Sequence, residues 1–207
     1  KPGLDTLFAK LAKQRSWEQK SLVRMIEGEE FSVKLSDWRD FLMNEPDPAQ
    51  LGPNADTPVL ILARQFIYKA FHKVIRLGIK ITPKTPDEKL HKLRIECKRL
   101  RYLMEFFNSL FPPEEVNYLI RQLKKLQDNL GDFNDLSVHQ QDMYEYLKEV
   151  EWTNKSAPTI TAALGGLITS LNVRQERVRE QFGEIFSEFS REENAAKFEA
   201  LFKPLSP

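Results

Sequence analysis

Residues 87–107 have the sequence DEKLHKLRIECKRLRYLMEFF, which predicts one helix with two opposed faces. At about 100° per residue, with His91 set to zero, Arg94, Lys98 and Arg101 fall between about 280° and about 340°. The opposite side, between about 160° and about 260°, is apolar. It carries Leu90, Leu93, Cys97, Leu100, Met104 and Phe107. Like charges at these spacings repel one another, so a helix that keeps them is expected to meet a polyanion there.

The charge of the chain is segregated, although its formal net value is only +1. Residues 64–101 contain twelve Lys or Arg residues and three acidic residues, so this segment carries +9 and the remainder carries −8. A basic zone on an acidic body indicates a specific anion site rather than general adhesion to anions.

Cysteine content and hydropathy restrict the class of protein. Cys97 is the only cysteine, which excludes an intrachain disulfide and a cysteine metal cluster. Its place on the apolar side of the helix predicts a core thiol rather than a nucleophile. A reducing, cytoplasmic location is expected. No apolar run reaches the roughly 18 residues of a membrane span, so no membrane partner is expected.

Helical periodicity runs through nearly the whole chain and predicts an all-α protein of antiparallel helical bundles. The predicted helices are 4–27, 31–43, 58–77 with Gly78 as its stop, 87–107, 113–130, 134–151, 158–189 and a short one to Phe202. Gly131 is predicted to end one helix, and Asn134 or Asp135 to cap the next. A Pro-rich linker at 46–57 is predicted to separate residues 1–45, the tail of a first bundle, from a second bundle at 58–207.

Residues 4–42 align without gaps on residues 164–202, which indicates an internal repeat. A duplication predicts a pseudo-two-fold pair of four-helix-type bundles, of which the first is incomplete and continues before Lys1. The apolar face of residues 4–42 is then expected to be covered by preceding helices or by a second chain, as in a homodimer. The alternative, two ordinary amphipathic helices aligned in phase, stays open.

Further cations are candidates for additional rows that, together with the cationic face of helix 87–107, would line one groove. They are Lys69, Lys73 and Arg76 at i, i+4 and i+7 in helix 58–77; Lys124 and Lys125, or Arg121, in the next helix; and Arg174 with Arg177. The short connection 79–86 predicts that helices 58–77 and 87–107 are antiparallel neighbours. From His91 to Arg101 the basic row covers about 15 Å, which suits an extended anion better than a single phosphate.

Metal and catalytic chemistry receive little support from the sequence. Glu88 and His91 have the i,i+3 spacing of di-metal helical bundles, but a second such pair is missing and Arg94 would repel a cation. No Gly-rich phosphate loop or nucleophile motif appears, so no catalytic residue, metal or cofactor is assigned. A phosphohydrolase or triphosphate-processing enzyme remains an alternative that needs a carboxylate cluster for Mg²⁺.

Nucleic acid is a competing ligand because it is also a polyphosphate. Tyr102 and Phe106 flank the cationic face at about 20° and about 60°, where bases could stack on them. No RNA-binding or helix-turn-helix signature accompanies them. Packing at the edge of the core is therefore their expected role, and nucleic acid is not the expected partner.

The segments LHKLRI at 90–95 and KRLRY at 98–102 resemble the CHAD family, the conserved histidine α-helical domain. The agreement extends to LKKLQDNLG at 123–131 and NDL at 134–136, and the resemblance covers essentially the whole chain. It implies two pseudo-symmetric helical bundles with a central basic pocket. It also implies that the pocket binds inorganic polyphosphate, with granules of that polymer as a possible partner, and that the domain has no established catalysis.

Several site residues are assigned by position in the family's motifs. His91, Arg94, Lys98 and Arg101 match the basic helix, and Lys124 matches the basic position of the second motif. Asn134 and Asp135 match a cap motif, for which a structural role is expected. The family has a second histidine-containing helix that this sequence lacks, which agrees with the expectation of an incomplete first bundle.

Overall fold

A computed structural model describes residues 3–45, 51–151, 153 and 155–204 of the 207-residue chain. This part of the chain forms α1 (Asp5–Ile26), α2 (Glu29–Met43), α3 (Val59–Gly78), α4 (Asp87–Phe106), α5 (Pro113–Glu149), α6 (Ala157–Ser190) and α7 (Glu192–Phe202). A short 3-10 helix, Asn108–Leu110, follows α4. Within the described ranges no residue belongs to a strand, and the prediction of an all-α protein is confirmed.

The chain divides into two compact units. The first contains residues 1–56 and 146–166, and the second contains residues 57–145 and 167–207. The end of α5 and the start of α6 therefore belong to the first unit. The predicted linker at 46–57 stays a prediction, and its residues 46–50 lie outside the described part of the chain.

The core of the second unit is built from the apolar faces that the sequence predicts. Leu93, Cys97 and Leu100 of α4 are fully buried. Phe71 of α3 stacks on Phe198 of α7 with ring centroids 3.9 Å apart. Burial of one large apolar side chain stabilises a fold by about 1.5–3 kcal/mol. The apolar side of α4 therefore anchors the helix, and its cationic side is left at the surface.

Gly78 allows α3 to end directly against the ring of Phe186 in α6. A Cβ atom at position 78 would lie 1.9 Å from Phe186 Cε2, far inside van der Waals contact. The predicted stop at Gly78 is confirmed, since α3 ends there. Glycine is needed here for this close approach and not for a left-handed backbone, because Gly78 does not adopt a positive φ.

The predicted interruption at Gly131 is wrong, because α5 is continuous from Pro113 to Glu149. Leu130, Phe133 and Leu136 are buried on both sides of this glycine. Their packing offsets the roughly 1 kcal/mol that a glycine costs a helix interior. Asn134 lies inside the helix with Asp135, so neither residue caps a helix terminus.

The start of α4 is held in place by Arg179 of α6. Its guanidinium donates a hydrogen bond to the carbonyl oxygen of Thr85 at 2.6 Å and pairs with the Asp87 carboxylate. Gln175 Nε2 donates to the second Asp87 oxygen at 3.1 Å. The same guanidinium lies 4.9 Å from the ring centroid of Phe133. These contacts fix the first turn of α4 and, with it, the position of the cationic face.

The first unit leaves most of α1 and most of α2 exposed, and no residue of α2 is buried. Leu4 and Leu7 are only 6% exposed, whereas Phe8 is 58% exposed. Other exposed apolar side chains are Leu11, Trp17, Leu22, Val23, Met25, Ile26, Val33, Leu35, Trp38, Phe41, Leu42 and Met43. The residues of α7 that align with the last part of α2 are buried: Phe198, Leu201 and Phe202. The aligned segments thus differ in burial, and the duplication stays a prediction.

Candidate anion-binding site

The cationic face of α4 borders a cleft of about 410 Å³ in the second unit. From α4 the cleft is lined by Arg94, Lys98, Arg101 and Tyr102, and from α5 by Gln127, Asp128, Gly131, Asp132 and Asp135. Three of the four residues predicted from the basic helix therefore come together on one side of it. The buried face of α4 positions them, because Leu93, Cys97 and Leu100 fix the rotation of the helix.

His91 lies one turn before Arg94 and is joined to α5. Its Nδ1 is 2.6 Å from Oδ1 of Asn134. Because an amide oxygen only accepts hydrogen bonds, Nδ1 carries the hydrogen and Nε2 is the ring atom that remains for a ligand. Asn134 therefore orients His91 instead of capping a helix. Both residues lie in motifs that resemble the family, but nothing in the sequence predicts that they contact each other.

The cations of the cleft are arranged around one aromatic ring. Lys98 Nζ and Arg101 Cζ lie 5.9 Å and 5.3 Å from the ring centroid of Tyr102. Arg101 Nε is 3.4 Å from Glu105 Oε1 but is buried and makes no hydrogen bond. A cation over the face of a ring keeps N–H groups that do not point at the ring, so Lys98 and Arg101 can still donate hydrogen bonds to an anion.

Three aspartates share the cleft with these cations, and the sequence predicts a role only for Asp135, as a helix cap. Asp128, Asp132 and Asp135 stand at i, i+4 and i+7 on one side of α5. The lining thus contains equal numbers of cations and carboxylates, and its formal charge is zero. The spacing would have been visible on a helical wheel of α5, but the predicted break at Gly131 divided that wheel into two helices.

Gln127 lies at the same cleft and is only 7% exposed. Neither its amide oxygen nor its amide nitrogen has a hydrogen-bond partner among the described residues. Buried polar groups are nearly always paired in native proteins. The Gln127 amide is therefore an exception at the wall of the cleft, with its oxygen and nitrogen shielded from solvent.

Lys73, a predicted site residue, is engaged in an ion pair on another flank of α4. Its Nζ is 2.6 Å from Oε1 of the buried Glu96. Glu96 lies about 160° around α4 from Lys98, so α3 packs on α4 away from the cleft. The predicted neighbourhood of these two helices is confirmed. The cleft is not lined by the other predicted cations, which are Lys69, Arg76, Lys124, Arg174 and Arg177.

A second groove, of about 580 Å³, runs along the other side of the same cationic row. It shares Arg94 and Lys98 with the cleft and adds the apolar side chain of Phe106. Phe106 is 80% exposed and Tyr102 is half exposed. The expectation that these two aromatics pack at the edge of the core is wrong. Both lie on the cationic side of α4, which faces away from the buried stripe.

Cys97 is a core thiol, as the sequence predicts. Burial raises its pKa far above the ordinary value of a thiol, and the nearby Glu96 carboxylate acts in the same direction. The thiolate is the reactive form of cysteine, so this side chain is held in its unreactive state.

Comparison with known proteins identifies one family. The family model described as the CHAD domain matches residues 1–142, which include α1 to α4 and most of α5. Both flanks of the cleft lie inside the matched region. No curated protein matches the chain. Throughout the described residues, none of the helices has the length and apolar character needed to span a bilayer.

Proposed function

Since this chain belongs to the CHAD family, we propose that it binds inorganic polyphosphate without catalysing its conversion. The family is associated with polyphosphate. The observation that carries the proposal is the convergence of Arg94, Lys98 and Arg101 on one side of a single cleft. Such a row of donors suits an anion with many phosphate groups.

Each residue of the row has a distinct part in the proposed binding. Arg94 and Arg101 present planar guanidinium groups that can donate two parallel hydrogen bonds to one phosphate. Lys98 acts as a compact charge, and His91 offers Nε2 at the start of the row. The row is about 15 Å long, so several successive phosphates of an extended chain can be bound together.

Titration with polyphosphates of graded length tests the proposal. Long chains should bind much more tightly than orthophosphate. The logarithm of the affinity should fall linearly with the logarithm of the salt concentration, because each neutralised phosphate releases a counterion. Equal affinity for orthophosphate, or a response that does not depend on salt, would contradict the proposal.

Substitutions locate the site. Arg94→Ala and Lys98→Ala should each weaken binding without lowering the melting temperature, because both side chains lie at the surface of the cleft. Arg15→Ala, in the exposed part of α1, removes the same charge elsewhere and is the matched control. If Arg15→Ala weakens binding as much as Arg94→Ala, the cleft is not the site.

The absence of catalysis is part of the proposal and has its own test. The protein is incubated with tripolyphosphate and Mg²⁺, and release of orthophosphate is followed over time. No release above the uncatalysed rate is expected. Sustained release that is lost in the Asp128→Asn variant would instead establish a phosphohydrolase that uses the cleft carboxylates.

Single-stranded RNA is a second candidate ligand because of one observation. Tyr102 and Phe106 are exposed beside Lys98, and exposed aromatics next to cations provide stacking platforms for bases. Competition between labelled polyphosphate and RNA oligonucleotides separates the candidates. The proposal expects RNA to displace polyphosphate poorly, and Phe106→Ala, which removes an aromatic ring outside the cleft, to leave polyphosphate affinity nearly unchanged.

We further propose a cytoplasmic location with association with polyphosphate granules. The single cysteine and the row of cations on α4 support it. A fluorescent fusion should co-localise with granules in polyphosphate-accumulating cells. The Arg94→Ala variant should lose the co-localisation while its cellular level is unchanged.

We also propose that a second copy of the chain covers the apolar surface of α1 and α2. Trp38, Phe41 and Leu42 are more than half exposed along α2, and a surface of this kind is rare on a monomer. Light scattering across a dilution series should give twice the chain mass. Trp38→Glu should shift the mass toward that of one chain.

A further inference from the structure

We propose that the outer face of α4 is a docking surface for an acidic amphipathic helix of a partner protein. The partner helix would lie along the groove of about 580 Å³ that Ile95, Tyr102 and Phe106 line beside the cleft. This inference goes beyond the proposed binding of polyphosphate, and its main test is carried out without polyphosphate.

An exposed apolar row on α4 is the first reason. Ile95, Tyr102 and Phe106 fall within about 40° of one another around the helix, over a length of about 16 Å. Ile95 and Tyr102 are half exposed, and Phe106 is the most exposed aromatic side chain in the described part of the chain. Single exposed apolar residues are normal on a protein surface, whereas a contiguous row indicates an interaction site. Spacings of seven and four residues are those of helices that pack side by side.

The charge beside this row determines the chemistry of the partner. Arg94 and Lys98 lie on one side of the row and Arg99 on the other, and no carboxylate lines the groove. Among the described residues none of these three cations forms an ion pair, whereas Arg101 and Arg179 of the same unit do. A partner with carboxylates on both sides of an apolar row therefore complements this surface in charge.

Polyphosphate alone does not match the whole surface. A chain of phosphates can pair with the cations of the groove, but it has no apolar part to cover Ile95 and Phe106. Removal of such side chains from water is favourable. The ligand that uses the whole surface therefore has both anionic and apolar groups.

The shape of the groove favours an elongated partner over a small molecule. Every residue that lines it belongs to α4, so the groove is a surface along one helix and not a pocket between helices. Small ligands are usually bound in concave sites that bury most of their surface. A second helix laid along the first needs no such enclosure.

The surroundings of the two rings favour a helix over single-stranded RNA. Lys98 Nζ lies 5.9 Å from the centroid of the Tyr102 ring, over its face. Phe106 makes an edge-to-face contact with Phe107, at a centroid distance of 4.8 Å. Bases need a free aromatic face on which to stack. The aliphatic side chains of a helix can instead pack against ring edges and against Ile95.

The test uses a labelled synthetic peptide of about 18 residues, which is about 27 Å long as a helix. It carries Leu along one side, at alternating spacings of three and four residues, and Glu on both flanks. The native protein should bind it roughly tenfold more tightly than a peptide with Lys in place of each Glu. A permuted peptide of the same composition, without an apolar row, should also bind roughly tenfold more weakly. Equal binding of the permuted peptide, or no binding of the acidic one, would overturn the proposal.

A single substitution locates the docking surface. Phe106→Ala should weaken binding of the acidic peptide roughly tenfold, because a central aromatic residue commonly dominates the energy of an interface. It should leave polyphosphate affinity unchanged, since Phe106 does not line the cleft. Phe66→Ala, an exposed phenylalanine of α3 outside the groove, is the matched control. Loss of peptide binding in both variants, or in neither, would overturn the proposal.

Two other occupants of the groove have their own readouts. If sedimentation shows a dimer that Phe106→Ala converts to a monomer, a second copy of the chain covers the row and the proposal is overturned. Binding of an RNA oligonucleotide that Phe106→Ala abolishes and Phe66→Ala retains would assign the groove to nucleic acid, and would overturn it as well.

Competition with polyphosphate separates this inference from the proposed function. Arg94 and Lys98 line both the groove and the cleft, so polyphosphate should displace the acidic peptide. This expectation alone rests on the proposed function. Simultaneous binding of both ligands at saturation would place the peptide elsewhere and overturn the docking surface. Absence of polyphosphate binding would overturn the proposed function and leave the peptide result intact.

Discussion

Arg179→Met should destabilise the second unit because Arg179 holds the start of α4. Methionine keeps an apolar stem of similar length against Phe133 but removes the guanidinium. The lost interactions are the hydrogen bond to the Thr85 carbonyl, the pair with Asp87 and the contact with the Phe133 ring. The side chain of Arg179 is only 11% exposed, so water replaces these contacts poorly.

The size of the effect follows from the separate contacts. A hydrogen bond from a charged group contributes about 1.5–3 kcal/mol, and a cation near an aromatic face adds about 0.5–1 kcal/mol. The Asp87 carboxylate is 44% exposed, so its pairing is screened by water and adds about 0–1 kcal/mol. Because the contacts share one group and do not add fully, the free energy of unfolding should fall by about 2–4 kcal/mol.

Urea unfolding measures this free energy, and hydrogen exchange locates the loss. At about 2–4 °C per kcal/mol for a protein of this size, the melting temperature should drop by about 5–15 °C. Amide exchange should accelerate first in the turn of α4 that contains Asp87 and His91. Arg177→Met, an exposed arginine two residues away, should change stability by less than about 0.5 kcal/mol. Equal losses in both variants would refute the anchoring role of Arg179.

Three further predictions concern single side chains. Gly131→Ala should raise the free energy of unfolding by about 0.5–1 kcal/mol in urea titrations, because alanine is the better helix former and nothing obstructs its Cβ. The hydrogen bond that Tyr68 donates to the Glu199 carboxylate, and after it the one from Lys203, lowers the pKa of this carboxyl. The stability that the ionised Glu199 gives the fold is therefore present above about pH 4.3, the ordinary pKa of a glutamate, and is lost as the pH falls further. Tyr68→Phe should therefore lose less stability on acidification than the native protein does, and equal losses would contradict the coupling. Cys97 should react with a thiol reagent only as fast as the protein opens, because burial raises the pKa of its thiol and shields it; rapid labelling of the native state would contradict this.

The two-faced pattern of residues 87–107 predicted both the helix and the separation of its core from its cations. That prediction is confirmed because all of these residues lie in one continuous helix, where the residue number fixes the direction of each side chain around the helix axis. Leu93 and Leu100 are buried, and Arg94 and Lys98 line the cleft, as the helical wheel requires.

Contacts between distant segments could not be predicted in the same way. The pairing of Lys73 with Glu96 depends on how α3 rotates against α4, and the spacing of cations on α3 does not contain that rotation. The common face of the three α5 aspartates was not predicted for a local reason, because Gly131 was expected to end a helix between them. Packing of Leu130 and Phe133 overrode that propensity, as tertiary contacts commonly do.

The hydrogen bond between His91 and Asn134 has a thermodynamic consequence for ligand capture. The bond holds the imidazole in one orientation before any ligand arrives, with Nε2 as its free nitrogen. A ligand that binds at Nε2 therefore does not have to immobilise the ring, and this lowers the entropy cost of binding.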